Sequence, residues 1–543
     1  MDRLVYWLYR AGVGALGALP LAVSSWFGFG FGGLAYYLAP GYRRLTLRNL
    51  RIAFGREKSA GELRSIARQH CATLGANIFS GLKLARMPGE EILRHVTVEG
   101  LEKLPPELLA RGRFIVAMSH FGNWELLAQL FPLLFRCRGG TTFQALGNRH
   151  IDADFRRARA RLGIELFDKK DGFSKVIKHL RAGGVVGSMV DQHAGDSGLW
   201  CSFFGRLAST SPLLAQLALR TQSPIISLAV FTEGSSHWRL VIHGPLDLGS
   251  GDPETITMRL NDLIESHVRR QPFDWFWVHN RWKTPAPKFL LATYKRGIAL
   301  PLGGAAALQP FRILIRAGNW LGDAVMSVPA VRAIKRGRPD AHVSVLTPAK
   351  LADLWKSVAE VNEVIAIESG ESVFAVAKKL RNRDFDAAII FPNSLRTALE
   401  AWLAGIPRRV GTPGHRRRWL LNQVFEPKKK KKVTERPRHQ VHDYLALAEF
   451  VGADIDGALT RGADGTDCRA DHRPLRRCGV RRGETLAARA LRRDHAPPPR
   501  KNRLRVETFR RRKRPPHRRR GHRRGGHPHH RPHRQNHPRP AHG

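Results

Sequence analysis

Residues 114–126 read Phe-Ile-Val-Ala-Met-Ser-His-Phe-Gly-Asn-Trp-Glu-Leu, FIVAMSHFGNWEL. The run Phe114–Met118 has the length and apolar character of a buried strand. Gly122 then breaks the chain, and Trp124-Glu125-Leu126-Leu127-Ala128 opens a helical pattern. His120 therefore lies in a strand-to-helix turn, the connection typical of an α/β layer. On one continuous helix, His120 and Glu125 would point roughly 140° apart. They can meet only if Gly122 lets the chain fold back. A carboxylate on one imidazole nitrogen would fix the tautomer and raise basicity, leaving the other nitrogen free to take a proton. From the residues alone, a structural His–carboxylate pair is as good a reading as a catalytic one.

The same rhythm extends outward. Strand patterns recur at Val185–Val190 and Ile225–Phe231 between helical stretches, so residues 41–285 read as one α/β domain, a mixed sheet flanked by helices. Before it, no charged residue occurs between Arg10 and Arg43. Such a run is long enough to span or enter a bilayer. Pro20 and the glycines between Gly28 and Gly33 make it a kinked or re-entrant segment, so residues 1–40 are expected to anchor the chain in a membrane. Arg43, Arg44, Arg48 and Arg51 follow and place that flank in the cytoplasm. A buried hairpin is the alternative.

After Pro285 and Pro287, residues 286–309 read as a Pro/Gly/Ala linker. Residues 310–455 resume with the strand FRILIR, a Gly-containing turn, a helix, and the strands HVSVLT and AAIIF, a βαβ rhythm that implies a parallel sheet. Residues 456–543 lose all periodicity. They hold 27 lysines and arginines against 7 acids, and no core can form there. Their Arg, His, Pro and Gly are what a GC-rich gene yields out of frame; a basic arm is the alternative.

The net charge is +46 over 543 residues, which suits anionic partners: lipid headgroups, phosphorylated glycolipids, an acidic carrier protein or nucleic acid. No RNA-stacking motif or recognition-helix pattern supports specific nucleic-acid binding. The five cysteines, Cys71, Cys137, Cys201, Cys468 and Cys478, form no CxxC pair and no zinc spacing, so no metal is expected.

The stretch SHFGNWE resembles the His-x4-Asp/Glu motif of the lauroyl/myristoyl lipid A acyltransferase family. The resemblance covers residues 1–285, through RRLTLRNLRIAFG at 43–55, Asp191-Gln192 after VVGSMV, Phe203-Phe204-Gly205, Thr210 and WVHNRWK at 277–283. It implies acyl transfer from acyl carrier protein to a lipid A precursor, without a cofactor, at the cytoplasmic face of a bacterial inner membrane. His120 would be the base and Glu125 its orienter. Asn123, Asn148, Arg161, Asp191, Gln192, Arg281 and Lys283 would bind substrate, with Arg281 and Lys283 on a lipid A phosphate. Asn123 reads equally as a turn residue, Asp191 as a cap, and Arg281 and Lys283 as a solvated basic end. The stretch Gln144–Asn148 departs from the family, which has an Arg-Pro-rich segment there.

FRILIRAGNWLGDAVMSVPA at 311–330, FPNSLRTALEAWLAGIPRRVG at 391–411 and HQVHDYLALAEFVG at 439–452 are similar to ADP-heptose:lipopolysaccharide heptosyltransferases, glycosyltransferase family 9. That family has the GT-B fold of two Rossmann-like halves. Asp323 would match its general base, though alone it reads as a helix-capping acid. This resemblance ends near Ile455. Residues 310–455 are thus expected to be one Rossmann-like half, lacking the pocket for ADP-heptose and having little transferase activity. Residues 534–542, shifted by one base, also permit a heptosyltransferase-like string. The basic runs Arg416–Arg418 and Lys428–Lys432 are expected to be solvated or to touch anionic lipid.

Overall fold

A computed structural model describes residues 2–168, 173–247, 251–291, 294, 296–381, 383–427 and 439–458. All belong to one compact unit. The tail expectation and the lysine run at 428–432 fall outside the described residues, apart from 456–458.

The N-terminal apolar run forms two helices, not one. Helix α1 (Asp2–Ala18) ends before Pro20, and α2 (Leu21–Leu38) begins after it. Proline at this point has no N–H for a continuous ladder. Helix α3 (Pro40–Phe54) follows, then α4 (Ala60–Leu84), whose start is fixed by a capping box between Ser59 and Glu62. Gly28 and Gly32 of α2 lie against the backbone of α4 at Gly75 and Cys71. A Cβ at any of these glycines would collide with the facing carbonyl, so the glycine-rich stretch serves close helix packing. Lys83 of α4 donates to the Gly17 carbonyl at the end of α1 at 2.9 Å. The outer side keeps Trp26, Phe29, Phe31, Leu34 and Leu38 exposed. The expected membrane-spanning segment is corrected: among the described residues no helix is long and apolar enough to cross a membrane.

The first sheet has seven strands: β1 (Val96–Glu99), β2 (Ile115–Met118), β3 (Gly139–Phe143), β4 (Glu165–Asp168), β5 (Val185–Met189), β8 (Ile225–Thr232) and β9 (Trp238–His243), in the order β1-β9-β8-β2-β5-β3-β4. All neighbours are parallel except β8 and β9. Strands β6 (Leu199–Phe203) and β7 (Arg206–Thr210) make a separate antiparallel hairpin. The central strands are buried on both faces, as crossover-connected parallel strands must be. The register sets Met118 of β2 opposite Met189 of β5, so the residues just after these two strands leave the sheet side by side.

The second sheet comprises β10 (Phe311–Arg316), β11 (Ala341–Pro348), β12 (Glu363–Ile367), β13 (Ala387–Ile390), β14 (Arg409–Gly411) and β15 (Gln423–Val424). It is parallel throughout, in the order β12-β11-β10-β13-β14-β15. This is the doubly wound order with its switch point between β10 and β13, where such sheets place ligands.

The described residues of 286–309 are packed against both sheets' units rather than standing free. Leu291, Tyr294 and Leu308 pack with Trp200 and Leu207 of the hairpin. The Gln309 N–H donates to the Gly205 carbonyl at 2.6 Å, and the Leu290 N–H to the Val451 carbonyl at 3.0 Å. Charges cross the same seam. Arg206 on the hairpin pairs with Asp386 beside β13 at 2.5 Å, and Arg408 donates to the carbonyls of Thr284 and Pro285.

Candidate active site

His120 and Asp191 follow the adjacent ends of β2 and β5, and the register brings them into contact. Asp191 is fully buried. One of its oxygens lies 2.8 Å from His120 Nδ1; the other accepts the His120 backbone N–H at 2.9 Å and Trp275 Nε1–H at 2.9 Å. Burial alone would push the Asp191 pKa up. The charge that His120 carries once it has taken a proton, and the hydrogen bonds from His120 and Trp275, outweigh it and hold the carboxyl below its ordinary value. Asp191 is thus an ionised acceptor, and it selects the tautomer with the proton on Nδ1.

The turn is built to hold this pair. Gly122 has φ +55°, and a Cβ there would collide with the Val230 carbonyl. The Gly122 N–H donates to the Asp274 carbonyl at 2.9 Å, and Phe276 N–H to the His120 carbonyl at 3.0 Å. Trp124 and Phe276 flank the imidazole, with ring centroids at 5.3 and 5.8 Å. Asn49 of α3 donates to the carbonyls of Trp277 and His279 at 2.8 and 2.7 Å, tying the 43–55 stretch to the 277–283 stretch.

Glu125 does not meet the imidazole. Arg159 clasps its carboxylate with two hydrogen bonds, at 2.6 and 3.0 Å. The expected His120–Glu125 contact is therefore corrected to His120–Asp191 with a separate Glu125–Arg159 pair. The physical reason is register. The helix after Gly122 carries Glu125 away along the cavity wall, whereas β5 delivers a carboxylate directly. Sequence reasoning missed Arg159 altogether; only its place on the helix Arg149–Ala160, facing that wall, reveals it.

His120 and the Glu125–Arg159 pair border a cavity of about 880 Å³, with Asp191 buried behind the imidazole. Its polar mouth holds His120, Glu125, Arg159, Gln192 and His193. Its interior is lined by Val116, Met118, Leu127, Phe131, Phe143, Met189 and Leu228. Gln192 Nε2 lies 3.4 Å from His120 Nε2. Burial, reinforced by the Arg281 and Lys283 charges, pushes His193 down to about 4. Burial does the same to His279 against the opposing pull of Asp191.

Other expected substrate contacts lie elsewhere. Asn123 is buried and donates to Ser80 Oγ at 3.3 Å, so it braces the turn against α4. Asn148 caps the helix Arg149–Ala160 through the N–H groups of His150 and Ile151. Arg161 donates to the Met87 carbonyl at 2.7 Å and to Gln129. Arg281 is fully buried; its guanidinium holds the Ser209 carbonyl at 2.5 Å and Thr210 Oγ1 at 2.6 Å, and burial lowers its pKa to about 10. It braces the hairpin and cannot reach a phosphate in solvent. Lys283 remains exposed. Among the described residues no group of three or more His, Cys, Asp or Glu side chains could hold a metal.

Asp323 stands in the first turn of the helix Leu321–Arg336, at the switch point of the second sheet. It borders a cavity of about 450 Å³ with Asn319, Trp320, Asn393, Thr412, Gln440, Asp443 and Tyr444. Gly318 is needed there, since a Cβ would lie 2.6 Å from that of Asp323.

Comparison with known proteins matches residues 1–284 to the family model described as bacterial lipid A biosynthesis acyltransferase. Residues 373–474 match glycosyltransferase family 9 (heptosyltransferase). The second match passes Ile455, so the similarity extends further than the residue pattern indicates. Among curated relatives, the lipid A biosynthesis myristoyltransferase of Escherichia coli K12 is 27% identical over 278 residues, 50% of this chain and 84% of the relative. A phosphatidylinositol mannoside acyltransferase of Mycobacterium tuberculosis CDC 1551 is 26% identical over 51% of this chain and 88% of its own. Lipopolysaccharide heptosyltransferase 2 of E. coli K12 is 34% identical over 119 residues, 21% of this chain and 34% of the relative. The chain thus spans about a third of that heptosyltransferase's length. The solved structure of E. coli ADP-heptose heptosyltransferase II aligns over 26% of this chain and 41% of its own, with 34% identity and a TM-score of 0.22.

Proposed function

Because the chain belongs to the bacterial lipid A biosynthesis acyltransferase family, we propose that it transfers a fatty acyl chain from acyl carrier protein to a hydroxyl of a lipid A precursor, with His120 as general base and Asp191 as its orienter. One observation carries this: an imidazole, its Nδ1 2.8 Å from a buried ionised carboxylate, faces an apolar cavity of about 880 Å³.

The chemistry follows from the geometry. A hydroxyl is a poor nucleophile at neutral pH, and His120 Nε2 offers a lone pair to take its proton. The oxygen attacks the thioester carbonyl, and the carbonyl electrons move onto oxygen. When the tetrahedral adduct collapses, the C–S bond breaks and the imidazolium returns its proton to the departing thiolate. Asp191 remains ionised and stabilises the imidazolium. The apolar interior suits a hydrocarbon tail, and the cavity size is within the usual range for ligand sites. Glu125 and Arg159 form the polar wall of the same mouth.

The exposed aromatic and aliphatic side of α2, with Arg43 and Arg44 beyond its end, supports docking on the anionic cytoplasmic face of the inner membrane. There, acyl carrier protein supplies one substrate and the bilayer the other. The test is a transfer reaction with purified full chain, dodecanoyl–acyl carrier protein and a lipid A precursor in mixed micelles, read by product mass. Acylated product from wild type and none from His120→Ala supports the proposal; product from both contradicts it.

A second reading is favoured by the position of Asp323 at the switch point: heptosyl transfer from ADP-heptose, with Asp323 as base. ADP release by the full chain that disappears in Asp323→Asn would establish it, and acyl transfer should be unchanged in that variant.

A further inference from the structure

Gln192 follows Asp191 on a turn whose backbone is pinned on both sides. Val190 N–H donates to the Met118 carbonyl at 3.1 Å, His193 N–H to His279 Nε2 at 2.9 Å, and Ala194 N–H to the Ser209 carbonyl at 3.1 Å. The Gln192 side chain is exposed into the cavity mouth, beside the catalytic nitrogen. Since Asp191 can only accept, the imidazole proton sits on Nδ1 and Nε2 presents a lone pair. The group facing that lone pair at 3.4 Å is therefore the Gln192 amide acting as donor. The neighbouring cations are committed elsewhere: Arg159 to Glu125, and Arg281 to Ser209 and Thr210.

The reacting atoms constrain what this donor can do. An acceptor hydroxyl must occupy the position near Nε2 that the amide now faces, and its oxygen must approach the thioester carbon to about 3–3.5 Å. Gln192, on its pinned turn, is the amide donor that already lies beside that position. We infer that Gln192 is a further catalytic residue, whose amide leaves Nε2 when the acceptor binds and donates to the thioester oxygen as it becomes an oxyanion. The inference rests on the acyl-transfer reading of the site. In the step, the hydroxyl proton goes to Nε2, the C–O bond forms, the C=O pair moves to oxygen beside the amide N–H, and it returns as the C–S bond breaks.

The test compares wild type, Gln192→Ala, Gln192→Glu and His120→Ala as full chains, with dodecanoyl–acyl carrier protein and lipid A precursor. Gln192→Ala should lower kcat on the order of 100-fold, the effect of losing one oxyanion donor, with KM for the thioester unchanged. Gln192→Glu keeps the shape but loses the donor, and should fall at least as far. Both should melt as wild type does, because the side chain is exposed. A kcat for Gln192→Ala within about threefold of wild type, or an effect confined to KM, overturns the oxyanion role while an inactive His120→Ala leaves the base in place. Full activity in His120→Ala overturns the acyl-transfer reading, and this inference with it.

Discussion

Replacing Asp386 with asparagine tests whether the two sheets form one cooperative body. Asp386 lies beside β13, and its carboxylate links the first sheet's hairpin to the second sheet. One oxygen pairs with Arg206 of the β6–β7 hairpin at 2.5 Å, and the other accepts the Arg312 N–H at 2.9 Å. The pair is nearly dry, with side-chain exposures of 12% and 9%. Two more arginines feel the same charge. Burial lowers the pKa of Arg48, and burial pushes Arg408 down to about 10; Asp386 opposes both shifts. Asparagine retains the volume and one acceptor but leaves this arginine cluster without that counter-charge. Breaking a buried pair by neutralising one partner costs about 3–5 kcal/mol, and the residual solvent access here reduces that to about 2–4 kcal/mol. Against a total stability of about 5–15 kcal/mol, this is a large fraction. At about 2 °C per kcal/mol for a large domain, Asp386→Asn should melt roughly 4–8 °C lower. Calorimetry should show both units shifting together, because the lost attraction spans them. In a double-mutant cycle with Arg206→Met, the two single costs should fail to add by about 1–3 kcal/mol. An unchanged melt, or a shift confined to one of two separate transitions, would show that the Asp386–Arg206 pair does not couple the two sheets.

The remaining predictions concern the site. Glu125→Gln loosens the Arg159 clasp without touching the base, so it should lower acyl transfer about tenfold and leave the pH dependence of the rate where it is in wild type. A displaced pH profile would restore Glu125 as the orienter. Asp274 is buried, and burial raises its carboxyl to about 7. The folded state therefore binds a proton that the unfolded chain has already released above the ordinary carboxylate range. Stability from this group is present at low pH and is lost as pH rises toward and through about 7. Denaturant melts of wild type from pH 5 to 8 should show this loss, and Asp274→Asn should flatten it; identical slopes would contradict the assignment.

The strand-to-helix turn at His120, the α/β character of both units and the parallel second sheet were legible in the residues, because buried strands and Gly turns are local signals. The partner of His120 was not. Sequence spacing suggests Glu125, five residues away, but the pairing is set by the β2–β5 register, a long-range property that no local pattern carries. The role of Arg281 failed to show for a similar reason. A basic residue near a chain motif reads as solvated until the hairpin and Asn261 close around it. The apolar N-terminus pointed to a membrane span by length and lack of charge. What the composition hid was that Gly28, Gly32 and Gly75 match one another across two helices, while Pro20 ends the first.

The most direct test of the central claim is the turnover of Asp191→Asn in the acyl carrier protein to lipid A precursor assay, measured alongside its melting temperature. An amide at this position donates where the carboxylate accepts, so it holds the imidazole in the wrong tautomer. The turnover kcat should fall on the order of 10³–10⁴-fold in a chain that still melts cooperatively. Turnover close to wild type in that variant would contradict it.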